Sequence, residues 1–113
     1  MALDFTSVID VTKNYVNDVR RVFPVDKAVL FGSYAKGTAD AQSDIDICFF
    51  LTNYDGKDRF SVLKELLGLI RDGSYFEPIV FPASELQNDN PFVKEIMRTG
   101  MEIKLKNKTN RFA

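Results

Sequence analysis

Two short apolar runs constrain the fold of this chain most strongly. Residues 27–31 are KAVLF and residues 45–51 are IDICFFL, and each run is bounded by polar or glycine-containing sequence. Apolar runs of this length are typical of buried strands, and they fall far below the ~20 residues that a membrane-spanning helix needs. Because a sheet must bury its faces, the rest of the chain is expected to supply covering helices.

Three further segments have the period of an α-helix. Residues 7–23 and 58–70 carry apolar side chains at steps of three and four. Asn90 is a favourable N-cap, Pro91 suits the first helical turn, and Gly100 provides a stop for the third helix. The sequence therefore predicts three helices.

For the second of these helices, the spacing predicts a buried seam with two leucines beside it. The seam consists of Phe60, Leu63, Leu67 and Ile70, and its neighbours are Leu66 and Leu69. We expect this apolar side to cover the sheet.

Two more segments have strand character. Residues 75–81 (YFEPIVF) are predicted to form a third strand, and Pro78 favours an edge position or a one-sided pairing because proline lacks a ladder donor. Residues 101–108 alternate apolar residues with lysines, which is typical of a short last strand whose outer side is protected by charge. The order of elements predicts an α/β fold, a small mixed β-sheet covered by helices, in a single domain over residues 1–113.

The composition excludes several kinds of chemistry. The 15 basic and 16 acidic residues nearly cancel, so the chain has no overall positive field for general nucleic-acid binding. It contains one cysteine and no histidine, which removes an internal disulfide, the usual zinc ligands and a His-activated nucleophile. Catalysis would have to use carboxylates, hydroxyls, lysines or a bound metal.

The start of the chain does not resemble a targeting segment. Residues 1–10 include Asp4 and lack the positive region and apolar stretch of a signal peptide. We therefore expect a cytoplasmic protein with no membrane association.

The acidic residues at the start of the second strand predict a metal site. Strand side chains alternate between faces, so Asp44 and Asp46 point the same way, ~6.6 Å apart along the strand. Two carboxylates on one face repel each other unless a cation neutralises them, and oxygen ligands favour Mg²⁺, or else Mn²⁺, over zinc. Neighbouring strands lie ~4.8 Å apart, so Glu77 would bring a third carboxylate if its strand pairs beside this one.

The turn after the first strand predicts a phosphate site. Gly32 allows a tight turn and a close approach of a ligand, and Ser33 offers its N–H and its hydroxyl at the start of a short helix. Lys36 could reach a phosphate or simply face solvent. Two ions in such a site would bridge the phosphates and activate an attacking hydroxyl, with Glu77 either binding the second ion or accepting the proton.

Either motif by itself has a simpler explanation. Gly-Ser pairs are common in turns, and D-x-D pairs often lie on solvated strand edges. Their order and spacing make the combination specific. The run GSYAKGTADAQSDID (residues 32–46), of the form G-S-x10-D-x-D, resembles the signature of the minimal nucleotidyltransferases of the DNA polymerase β superfamily.

This resemblance covers nearly the whole chain and implies roles for the residues that match. It implies a polymerase-β-like nucleotidyltransferase fold in which Gly32 and Ser33 hold the β and γ phosphates of a nucleotide. Asp44 and Asp46 would bind Mg²⁺, and Glu77 stands where a third acid, commonly aspartate, is found. Members of this class are often encoded beside a helical HEPN-domain toxin, and some transfer AMP from ATP to a tyrosine of that partner.

Two functions remain open from the sequence. The first is a Mg²⁺-dependent nucleotidyltransferase that moves a nucleoside monophosphate, AMP from ATP, to a hydroxyl of a partner protein. The second is a catalytically inactive antitoxin that neutralises its partner by contact alone. The clustered acids favour the first, and the glutamate in place of aspartate favours the second.

Overall fold

A computed structural model describes residues 4–40, 42–71 and 75–105 of the chain. The helices are α1 (Phe5–Arg20), α2 (Gly32–Lys36), α3 (Arg59–Gly68) and α4 (Pro91–Thr99), and a 3-10 turn lies at Ala83–Leu86. The strands are β1 (Val25–Phe31), β2 (Ile45–Leu51), β3 (Phe76–Pro82) and β4 (Met101–Glu102). No helix in these three ranges is long and apolar enough to cross a membrane.

The strands form one mixed sheet in the order β3-β2-β1-β4. β1 runs antiparallel to β2 and β4, whereas β2 and β3 are parallel and are connected through α3. The predicted mixed sheet is confirmed, and β3 occupies an edge, as Pro78 indicates. The first predicted helix is also confirmed, although α1 ends at Arg20, because the chain turns before Pro24.

Strand alternation divides the core between the two faces of the sheet. On one face, Leu30, Ile47 and Phe49 pack against α1 and α3. Tyr15 of α1 donates a hydrogen bond to the backbone oxygen of Leu66, at 2.6 Å, and so ties the two helices together.

The opposite face carries a smaller core. Val29, Cys48 and Phe50 pack there against Val93 and Ile96 of α4. Asn90 caps this helix by accepting hydrogen bonds from the backbone N–H groups of residues 92 and 93, as the sequence predicts. Every residue of β2 except Asp46 is buried, so this strand is covered on both faces except at the end where Asp46 lies.

The predicted seam of α3 is wrong in part. Leu66 is fully buried, whereas Phe60 is 90% exposed and Leu67 is 54% exposed. The helix turns its Val62–Leu66–Leu69 row toward the sheet, with Leu63 and Ile70 partly buried beside it. Periodicity alone could not choose between two adjacent apolar rows, and contacts with the sheet and with Tyr15 decide the choice.

The last predicted strand is shorter than expected. β4 pairs only Met101 and Glu102 with β1, and Ile103 N–H adds one bond to Ala28 O at 2.8 Å. Residues 103–105 are not part of β4, and residues 106–108 of the predicted strand lie outside the described ranges. Gly100 allows this approach, since a Cβ there would lie 2.6 Å from Val29 Cγ1 and 2.8 Å from Leu30 O.

Candidate active site

Asp44 and Asp46 lie at the uncovered end of β2. Asp44 directly precedes the strand and is exposed, and Asp46 is its second residue and is half-buried. Asp46 shares its face with Cys48, whereas Ile47 enters the larger core on the other face. The local sequence thus buries the apolar side chains of β2 and leaves the acids at its start.

Glu77 comes to the same place through the register of the parallel pair. Its Cα is the partner of Asp46, and the hydrogen bond from Ile45 N–H to Tyr75 O, at 2.7 Å, continues the pairing to the strand start. Paired residues on neighbouring strands point to the same face, so Glu77 and Asp46 are side by side. Glu77 is exposed.

Gly32 brings the turn after β1 against these acids. β1 ends at Phe31, whose register partner is Asp46, and the chain turns at once into α2 with a φ of +74° at Gly32. A Cβ at this position would lie 2.9 Å from Cγ of Asp46 and would overlap its Oδ2. Glycine is therefore required here both by the backbone conformation and by the Asp46 carboxylate.

Ser33 and Lys36 belong to the single turn of helix that follows. Ser33 is half-buried, and its carbonyl accepts a hydrogen bond of 2.9 Å from Thr38 N–H, which closes the turn. Lys36 is the last residue of α2 and is exposed. Ser33 thus lies in the turn that Gly32 begins, and phosphate contacts from Ser33 and Lys36 stay predictions.

The loop between α2 and β2 is held by its own side chains. Asp40 accepts hydrogen bonds from Gln42 N–H at 2.9 Å and from the Ser43 hydroxyl at 3.3 Å. The Ser43 oxygen in turn accepts from Asp40 N–H at 2.9 Å. This Asx-type turn sets the position from which Asp44 enters the site.

Asp46 is affected by its burial and by the two neighbouring carboxylates. Burial, the neighbouring charge of Glu77 and then that of Asp44 raise the pKa of Asp46 from 3.8 to about 6. Even so, no three His, Cys, Asp or Glu side chains among the described residues already stand together as a metal-binding cluster. The oxygen donors suit Mg²⁺ or Mn²⁺, and a divalent cation would relieve the repulsion that raises this pKa.

Cys48 takes no part in this group. Its side chain is fully buried, and burial raises the pKa of its thiol to about 12. It lies in the core beneath α4 and is not a reactive thiolate.

Sequence reasoning missed two aromatic residues near the acids. Phe31 immediately precedes the glycine turn, and its ring contacts that of Phe92 on α4, with 6.4 Å between the ring centroids. The position of Phe31 directly before Gly32 could have marked it as a residue near the site. No sequence signal marks Phe92, because its placement depends on how α4 docks.

A mixed sheet of this topology, with acids at the start of one strand beside a glycine–serine turn, is the fold of a nucleotidyltransferase. The family model for the polymerase beta nucleotidyltransferases matches residues 12–109. The chain belongs to this family, which confirms the predicted fold class and identifies the chain as a nucleotidyltransferase.

Other known proteins are similar to the chain over most of its length. A candidate protein adenylyltransferase of Methanocaldococcus jannaschii is 24% identical over 106 residues, covering 85% of this chain and 98% of the relative. The crystal structure of a candidate nucleotidyltransferase from Sulfolobus solfataricus matches with a TM-score of 0.64 and 18% identity, covering 92% of this chain and 86% of that one.

Two toxin–antitoxin structures share the fold. One, a variant of the MntA–HpeT pair, has a TM-score of 0.55 and 19% identity, over 89% of this chain and 77% of the matched chain. The other, a toxin–antitoxin with AMP-PNP, has a TM-score of 0.51 and 18% identity, over 97% and 80%.

Proposed function

We propose that this chain uses Mg²⁺ to transfer a nucleoside monophosphate, AMP from ATP, to a hydroxyl group of a partner protein. Membership of the nucleotidyltransferase family supports the type of reaction. The similarity to a candidate protein adenylyltransferase supports both the nucleotide and a protein as acceptor.

The observation that carries the proposal is the position of Asp46. Its carboxylate touches the turn at Gly32 and stands in register with Glu77 on the next strand. Phosphates bound at Gly32 and Ser33 would therefore lie directly beside the acids. A divalent ion bound by both the phosphates and the carboxylates would neutralise negative charge on each.

Each residue of the site has a role in the proposed transfer. Asp44 and Asp46 would hold the metal, and the backbone of Gly32 and Ser33 would orient the triphosphate, with Lys36 as a further phosphate contact. Bound Mg²⁺, as one ion or two, would supply charge neutralisation and lower the pKa of the acceptor hydroxyl. The acceptor oxygen bonds to the α phosphorus, the bond between the α and β phosphates breaks, and pyrophosphate leaves. The hydroxyl proton passes to Glu77, or to solvent where Glu77 completes the metal ligands.

We propose a helical HEPN-type toxin as the acceptor protein. Two of the structures that share this fold come from toxin–antitoxin pairs, one of them with AMP-PNP. In this proposal the modified hydroxyl belongs to the toxin, and its modification is the antitoxic event.

A second candidate function is neutralisation by contact alone. Glu77 stands where the family commonly has aspartate, and the three carboxylates are not already gathered as a metal cluster among the described residues. An inactive member of the family would keep the fold without the chemistry.

One experiment separates the two functions. The protein is incubated with Mg²⁺, ATP labelled on the α phosphate, and the protein encoded by the adjacent gene, beside an Asp44→Asn/Asp46→Asn variant. Glu65→Gln, an exposed acid on α3, serves as the control for loss of a carboxylate elsewhere. Label on the partner with wild type and with Glu65→Gln, but not with the double variant, supports transfer. Equal neutralisation of the partner by all three proteins, without label, contradicts it.

A further inference from the structure

A row of aromatic rings crosses the face of the sheet that carries the acids. Phe92 lies between Phe31 and Phe81, with centroid distances of 6.4 Å and 6.0 Å. Its ring is nearly perpendicular to that of Phe31, at 87°, and is tilted by 50° from that of Phe81. Such edge contacts are favourable and fix the orientation of the ring.

Phe92 nevertheless remains 51% exposed. It is the second residue of α4, and Val93 and Ile96 of the same helix are buried against the sheet. The packing of α4 therefore does not need the exposed half of this ring. A rigidly held aromatic ring with half of its surface free is a suitable platform for a flat ligand.

The position of this ring relative to the acids suggests the ligand. Phe31 is the Cα partner of Asp46 and the residue before Gly32, so Phe92 is one ring contact away from the turn proposed to hold the phosphates. Strand alternation puts Phe31 and Asp46 on the face that α4 covers. A nucleotide with its phosphates at Gly32 could extend its base over this face.

We propose that Phe92 is the platform on which the base of the bound nucleoside triphosphate stacks. This rests on the proposed function, because it assumes that a triphosphate binds at Gly32 and Ser33. Stacking uses the face of the base, which every nucleobase has, so this residue contributes affinity without selecting one base by its edge. Base–aromatic stacking changes affinity by roughly tenfold or more on substitution.

The first test compares a nucleotide with a ligand that lacks a base. Binding of ATP and of inorganic tripolyphosphate, each with Mg²⁺, is measured by calorimetry for wild type, Phe92→Leu and Phe92→Tyr. Leucine keeps apolar contact with the neighbouring rings and removes the stack, whereas tyrosine keeps the stack. We expect Phe92→Leu to weaken ATP binding about tenfold and to leave tripolyphosphate binding unchanged, and Phe92→Tyr to behave as wild type.

The second test uses the absence of tryptophan from the sequence. Phe92→Trp introduces a tryptophan at the platform as the only one in the chain, and Phe60→Trp places a tryptophan at a 90% exposed position on α3. Excitation at the red edge of the absorption band selects tryptophan over the tyrosines. We expect ATP with Mg²⁺, but not tripolyphosphate, to quench the emission of Phe92→Trp. The emission of Phe60→Trp should respond to neither ligand.

The outcomes distinguish failure of the stacking proposal from failure of the proposed function. If wild type binds both ligands and Phe92→Leu binds ATP within twofold of wild type, the platform is overturned and the proposed function stands. Equal weakening of ATP and tripolyphosphate in Phe92→Leu also overturns the platform, since it shows a structural role. If wild type binds neither ligand, the proposed function is overturned and the platform with it.

Discussion

At the scale of single residues, Gly32 and Asp46 form one unit. Gly32 has φ +74°, and any side chain there would meet the Asp46 carboxylate. Gly37 ends the same short helix at φ +78°, but a Cβ there would have nothing within 4 Å. Both glycines have a positive φ, and only Gly32 has a neighbouring side chain in the space of a Cβ, so the two substitutions can be compared.

This comparison gives a prediction on stability and binding. Gly37→Ala should lower the free energy of unfolding by about 1 kcal/mol, the usual penalty of a left-handed alanine. Gly32→Ala should lower it further and should abolish Mg²⁺-ATP binding, because the carboxylate must move away. Urea unfolding and calorimetry measure both effects. Equal losses of stability in the two variants, with binding retained in both, would show that the contact with Asp46 is unimportant.

The raised pKa of Asp46 gives a prediction on pH. Its folded value of about 6 lies above the ordinary 3.8, so between these values the folded state holds more protons than the unfolded state. Wild type should therefore lose stability relative to Asp46→Asn as pH rises from about 4 to about 6. Above that range the variant should be the more stable protein while lacking transferase activity.

Urea unfolding in a metal chelator, from pH 4 to pH 8, measures this difference. Asp26→Asn, at an exposed residue of β1, serves as the control for the loss of one carboxylate elsewhere. A constant difference between wild type and Asp46→Asn across the range would mean that Asp46 titrates normally.

At residue level, the sequence constrains the candidate site only where the argument is local. Asp44 and Asp46 are two positions apart at the start of β2, and strand alternation alone predicts that they point to the same face. The placement of Glu77 beside them required the register of two strands joined through α3, which the sequence left conditional. Phe92 depends on the docking of a whole helix, and no local pattern marks it.

At the scale of elements, start and stop signals were more informative than apolar seams. The Asn90 cap and the Gly100 end of α4 were both predictable, because capping is a local hydrogen-bond requirement. The buried side of α3 was not, because Leu66 and Leu67 are equally apolar and only the sheet distinguishes them. Neighbouring leucines with opposite exposure provide a direct test of this orientation.

Alanine substitutions at these two leucines should have very different effects. Leu66→Ala removes a fully buried side chain and should lower the free energy of unfolding by about 2–5 kcal/mol. Leu67→Ala, at a residue that is 54% exposed, should change it by about 0.5 kcal/mol or less. Chemical denaturation at neutral pH measures both values. Comparable losses of unfolding free energy in the two variants would contradict the observed orientation of α3 and would support the buried seam that periodicity predicts.

At the scale of the whole molecule, the candidate site is an assembly of distant segments. The turn after β1, the start of β2 and the second residue of β3 meet only because β1 is antiparallel and β3 is parallel to β2. The site therefore exists only in the folded sheet, and any ligand that bridges these segments must stabilise the fold by linkage.

The arrangement of the acids predicts which ligand stabilises the fold. Because the described residues hold no ready-made cluster of three metal ligands, Mg²⁺ alone should bind weakly and shift the thermal midpoint little. ATP adds phosphate oxygens to the coordination shell, so Mg²⁺ with ATP should stabilise the chain by ~2.7 kcal/mol at a hundred times the dissociation constant, a shift of several degrees. ATP in a chelator, and Mg²⁺-ATP with the Asp44→Asn/Asp46→Asn variant, should each give no comparable shift. Differential scanning fluorimetry of these four samples measures the thermal midpoints. If Mg²⁺ alone raised the midpoint as much as Mg²⁺-ATP does, the three carboxylates would form a metal site without the nucleotide, contrary to this prediction.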